Sequence, residues 1–133
     1  MELGMMDLVS VVVAALSSFV VGGLWYGPLF GKAWMKVSGI TEEKAGEANM
    51  AKVMGLSFLL QLLAAGVLLM FIGPDAALGF SVAAAAAVGA CWVAPALGVV
   101  YLFEQRSFGH WAVNAGYQVV AFTLMGVILG VWP

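Results

Sequence analysis

The sequence predicts an all-α fold: an integral membrane bundle of four transmembrane helices with a short cytoplasmic helix between spans one and two. Three observations carry this reading. Four apolar runs, residues 8–27, 53–72, 76–103 and 111–131, are each long enough to cross a hydrocarbon core about 30 Å thick at about 1.5 Å of rise per residue. Nearly all the charges are confined to short stretches outside those runs. The composition is 64% hydrophobic and only 9% charged, with a mean hydropathy of +1.07, and a water-soluble domain of this size would lack the polar surface to stay dispersed. No linker or charge block divides the chain, so residues 1–133 read as one domain.

The first span lacks the basic leader of a signal peptide, since Glu2 and Asp7 are acidic. Its apolar stretch also outruns the roughly 7–15 residues of a signal h-region. It is therefore expected to be a retained helix. Pro28 has no amide hydrogen to donate, which predicts that this helix ends or kinks near it. Trp25, Tyr26 and Trp34 suit the half-wet headgroup region, and Lys32 and Lys36 are placed to snorkel toward phosphates. The sharper alternative is that the bend re-enters the bundle and lines a vestibule.

Between spans one and two, Thr41 followed by Glu42, Glu43 and Lys44 has the pattern of a helix start, predicting a short helix that runs into the second span. Gly73-Pro74-Asp75 is a tight turn in which Asp75 is placed to cap the third helix. Along the third span Gly79, Ala83, Ala87 and Cys91 recur every four residues, and Pro95 predicts a kink. The lone Cys91 has no intrachain disulfide partner and reads as a packing residue. Ser10, Ala14, Ser18 and Gly22 in the first span, and Gly126 and Gly130 in the fourth, repeat the same spacing. Small residues let helices approach closely where lipid supplies no hydrophobic drive. There are more such faces than four helices need, which predicts a homo-oligomer.

Lys32, Lys36, Lys44 and Lys52 lie between spans one and two, and Arg106 lies between spans three and four. Basic residues favour the cytoplasmic side, so both termini are expected outside.

The fourth span holds the most informative polar pattern. His110, Asn114, Tyr117 and Gln118 fall on one helical face. Gln61 lies at a matching depth in the second span, so its amide and that of Gln118 are expected to meet near the membrane midplane. Such a stripe either fixes packing through interhelical hydrogen bonds or lines a solute path. Glu104 and Arg106 are expected at its cytoplasmic mouth together with Trp25, Tyr26, Pro28, Lys32 and Trp34. No catalytic signature is present, and a lone His110 without spaced Cys or His partners predicts no metal site and no cofactor. A net charge of -2 gives no support to nucleic-acid binding.

Trp25-Tyr26-Gly27-Pro28-Leu29-Phe30-Gly31-Lys32-Ala33-Trp34 after a first apolar span is followed by Leu102-Phe103-Glu104-Gln105-Arg106, Asn114-Ala115-Gly116-Tyr117, Leu124-Met125-Gly126 and Gly130-Val131-Trp132. In this the chain resembles the small bacterial membrane proteins grouped as domain of unknown function 1761. The resemblance implies a four-helix protein of the bacterial inner membrane and carries no activity or catalytic residues with it. The expected function is a small oligomeric transporter or channel-like bundle for a small solute. The alternative is a non-catalytic subunit or adaptor that packs against a partner protein.

Overall fold

The Asp7 carboxylate accepts a hydrogen bond from the Gly4 amide at 2.8 Å and starts the first helix, α1, Met5–Leu24. The computed structural model describes residues 3–132; Glu2 and Pro133, in the tails expected outside the membrane, fall outside the described residues. α1 passes into a wide turn at Trp25–Leu29, where the Phe30 amide donates to the Trp25 carbonyl five residues back at 2.7 Å. Pro28 sits inside that turn. Its missing amide hydrogen would orphan a carbonyl in a regular helix, and the wider π-type turn carries the chain past the defect.

Two short helices follow where the sequence predicted one. α2, Gly31–Ser38, ends at Gly39 in the left-handed region, and α3, Glu42–Glu47, is capped by the Thr41 hydroxyl accepting from the Lys44 amide. α3 does not run into the second span. Extended backbone at Ala48 and Asn49 separates them, and Asn49 caps α4, Met50–Ile72, through the Lys52 amide.

Asp75 does not cap the third span. The chain turns at Gly73, with φ of +93°, and Ala77 stands at the cap position without a side-chain bond before α5, Leu78–Val88. A second π-type turn, Gly89–Val93, leads into α6, Ala94–Phe103, with Pro95 in its first turn. α7, Phe108–Val131, starts where the Ser107 hydroxyl accepts from the His110 amide. The four spans, Met5–Leu29, Met50–Ile72, Leu78–Phe103 and Phe108–Val131, hold 25, 23, 26 and 24 residues, enough to cross a bilayer.

The two wide turns share a sequence. Val21-Gly22, Trp25 and Pro28 in the first span, with Gly31 at the start of α2, recur at the same spacing as Val88-Gly89, Trp92, Pro95 and Gly98 in the third. Both segments flank α7. A Cβ on Gly22 would touch the Tyr117 ring at 3.5 Å, and one on Gly89 would stand 3.0 Å from the Val119 Cα. The repeat thus marks one place on either side of α7 where a glycine lets a flanking span come close.

α7 packs on α5 and on α1, while α4 leans mainly on α1. The α5 contact uses Ser81, Ala85 and Gly89, which are buried, and the Ser81 hydroxyl donates to the Gly126 carbonyl at 2.6 Å. The predicted register of the third span is therefore corrected: Gly79, Ala83, Ala87 and Cys91 face outward. Ser10, Ala14 and Ser18 of α1 are buried as expected. The core gathers toward the Gly73–Asp75 end, around Ala14, Leu68, Leu69, Met125 and Leu129.

Candidate functional site

In its half nearest the lysine-bearing end, α7 is held by a collar of aromatic side chains. The Trp25 indole donates to the Val113 carbonyl at 2.9 Å, and its ring lies against Gly116, where a Cβ would sit 2.9 Å from it. From the other side the Trp111 indole donates to the Ala94 carbonyl at 2.8 Å, and Gly98 leaves room for that ring. Asn114 stands between two phenols: its Oδ1 accepts from the Tyr26 hydroxyl at 2.7 Å, and its Nδ2 donates to the Tyr101 hydroxyl at 2.8 Å. The Tyr117 hydroxyl donates to the Ser18 carbonyl at 3.0 Å, and its ring stands 5.4 Å from that of Tyr26. All three tyrosines of the chain thus converge on this face of α7. Each bond satisfies a polar group that lipid would leave unpaired.

His110 is buried, with its ring 5.0 Å from that of Tyr101. Trp34 meets Tyr26 edge-on at 5.6 Å, and Val37 of α2 lies against Gly109. Trp34, expected at the cytoplasmic mouth, thus packs on Tyr26, and α2 lies against the first turn of α7. Glu104 and Arg106 do pair, at 2.6 Å, because Gln105 adopts φ of +58° and turns the chain between them. Both are exposed, and the guanidinium lies 5.5 Å from the Tyr101 ring centre. An exposed pair of this kind contributes little to stability. Lys32 is exposed, and Pro28 belongs to the bend.

Beside the collar, between α4 on one side and α1 and α7 on the other, lies a cleft of about 650 Å³. Its polar lining is Ser18, Tyr26, Ser57, Gln61, Tyr117 and Gln118. Gln61 is the middle residue of its span, and Gln118 is close to the middle of its own. Gln61 faces the Tyr117 hydroxyl, while the Gln118 amide and the Ser57 hydroxyl enter no side-chain hydrogen bond among the described residues. The two amides border one cavity and do not bond to each other. The core closes the cleft toward the Gly73–Asp75 end, and Gly23, Met54 and Ser57 line it toward the lysine-bearing end.

Of the residues predicted along the polar path, Gln61, Tyr117 and Gln118 line the cleft, whereas His110 and Asn114 belong to the collar. Ser18 and Ser57 escaped the sequence reading as lining residues, because a lone serine in an apolar helix usually bonds its own backbone; Ser18 does so, donating to the Ala15 carbonyl at 2.6 Å. Among the described residues, no group of three or more His, Cys, Asp or Glu stands together to hold a metal.

A family profile described as a protein of unknown function, DUF1761, matches residues 9–130, nearly the whole chain. The chain belongs to this family. No curated protein and no solved structure matches it. Membership of DUF1761 names no activity, so any function of the cleft follows from its own chemistry.

Proposed function

We propose that this protein is a small, oligomeric transporter or channel-like bundle that holds an uncharged solute in the mid-span cleft. The supporting observation is the pair of glutamine amides, Gln61 and Gln118, bordering one cavity at the depth where unsatisfied polar groups cost most. A cavity of about 650 Å³ is of the size that takes small ligands. No Lys, Arg, Asp, Glu or His lines it, which favours an uncharged solute.

All five basic residues lie in the connections between spans one and two and spans three and four, so that end faces the cytoplasm and both termini lie outside, in the bacterial inner membrane. The core then closes the cleft on its outward side. In a Cys91→Ser background, Asp75→Cys is expected to react with an impermeant thiol reagent added to intact cells, and Glu43→Cys is not. The reverse labelling pattern would invert this orientation.

A second reading, an adaptor that packs against another helix, is favoured by one observation: the stripe of Gly79, Ala83, Ala87 and Cys91 faces outward and is exposed among the described residues. One experiment separates the two. Liposomes carrying the protein are tested for binding and uptake of uncharged solutes running from glycerol to a short-chain quinone, with lactate and choline as ionised counterparts. The transport reading expects uptake of an uncharged member that falls to background in Gln61→Ala with Gln118→Ala and persists in His110→Ala, since His110 lies outside the cleft. Uptake of none of them, or uptake indifferent to both glutamines, leaves the adaptor.

A further inference from the structure

The mid-span cleft does not end at its polar lining. Leu60, Ala64 and Phe122 are shared with a second groove of about 330 Å³, whose other walls include Leu63, Val67, Val88 and Trp92. This groove runs between α4 and the third span, where those helices meet only sparsely, so the wall of the bundle stands open toward lipid at this point. Phe71 and Trp92 meet edge-on at 6.3 Å within its lining. The repeated sequence sharpens the contrast: Trp25 is docked on α7 with its indole hydrogen-bonded, whereas its counterpart Trp92 is 63% exposed at the groove. The structure therefore joins an uncharged polar pocket at mid-span to an apolar channel that leaves sideways into the acyl chains.

From this continuity we infer that the ligand is an uncharged amphiphile taken from the bilayer, its hydrogen-bonding head set between Gln61, Gln118 and Ser57 and its apolar tail lying along Leu60, Val67 and Trp92. The inference rests on the reading of the cleft as a solute site and names the solute class. Each glutamine amide offers two donors and one acceptor, and the serine hydroxyl offers one donor, which matches a carbonyl or hydroxyl head. A phosphate, carboxylate or ammonium head would bring an unpaired charge to mid-span, and no residue lining either space carries the opposite charge. A fully water-soluble solute would leave the apolar groove without an occupant.

The test uses the full chain in phosphatidylcholine nanodiscs and two photoactivatable probes of equal length, a diazirine-bearing hexadecanol and a diazirine-bearing palmitate, at about pH 10, where the carboxylate is ionised even at the bilayer surface. The expected result is saturable labelling of the α4 segment around Leu60 and Val67 by the alcohol and not by the carboxylate. Labelling falls about tenfold in Gln61→Leu with Gln118→Leu, which removes the partners of the head. Leu60→Trp fills the junction of pocket and groove while changing an exposed side chain, so it lowers labelling without unfolding the bundle, a point checked by its circular dichroism. Equal labelling by both probes, or labelling unchanged in both variants, overturns the inference. Absence of labelling while glycerol binding depends on the two glutamines overturns the amphiphile and keeps the pocket, whereas failure of both overturns both.

Discussion

A Cβ at Gly126 would stand 2.5 Å from the Ala85 Cβ and 2.8 Å from the Ser81 carbonyl oxygen, so the helices meet there without room for a single carbon. Dispersion at this contact replaces the hydrophobic drive that lipid does not supply. Gly126→Val is expected to destabilise the bundle by about 1–3 kcal/mol through forced separation of α5 and α7, measured by thermal unfolding in detergent. Gly79→Val, on the outward face where nothing lies within 4 Å of a Cβ, is expected to stay within about 0.5 kcal/mol of wild type. A loss at Gly79 without one at Gly126 would mean that the predicted register, and not the observed one, carries the packing. The sequence alone left this choice open because residues 83–87 are five alanines in a row. Every face of such a run is small, so spacing by fours fits Gly79 and Ala83 as well as it fits Ser81 and Ala85.

At the scale of elements, four spans were legible because the bilayer admits few alternatives for long apolar runs. The bends were only half legible. Pro28 and Pro95 announced irregularity, but whether a helix breaks or widens at proline depends on what receives the freed groups, and here each span widens into a turn that faces α7. The recurrence of Val-Gly, Trp, Pro and Gly around both bends was the available signal. Headgroup anchor and re-entry into the bundle both stayed open for the aromatics of the collar for a related reason: an indole or phenol with one polar atom suits a headgroup region and a helix carbonyl equally well. In the structure Trp25 and Tyr26 spend that polar atom on Val113 and Asn114. Gly31 sets the geometry of the bend, since a Cβ there would fall 2.6 Å from the Tyr26 carbonyl oxygen. Gly31→Ala is expected to open the bend, displace Tyr26 from Asn114 and destabilise the protein by about 1–3 kcal/mol. Gly27→Ala, with open space around its Cβ, is expected to be neutral in the same unfolding assay. Loss of stability at Gly27 alone would contradict this account of the bend.

At the scale of the whole molecule, three zones follow one another along α7. A core of alanine, leucine and methionine seals the Gly73–Asp75 end, glutamines border a cleft at mid-span, and aromatic side chains bind the lysine-bearing end. The amides of Gln61 and Gln118 were legible as the polar residues of apolar spans. That they border a cavity and do not bond each other was not, because it depends on α4 leaning toward α1 and away from the third span and α7. The central claim is that this cavity is a binding site for an uncharged molecule. Native mass spectrometry of the protein released gently from its membrane tests it most directly, comparing wild type with Gln61→Leu and Gln118→Leu combined. The account expects a small uncharged noncovalent adduct on the wild type that is missing from the double variant. A wild type that flies bare, or the same adducts on both proteins, would contradict it.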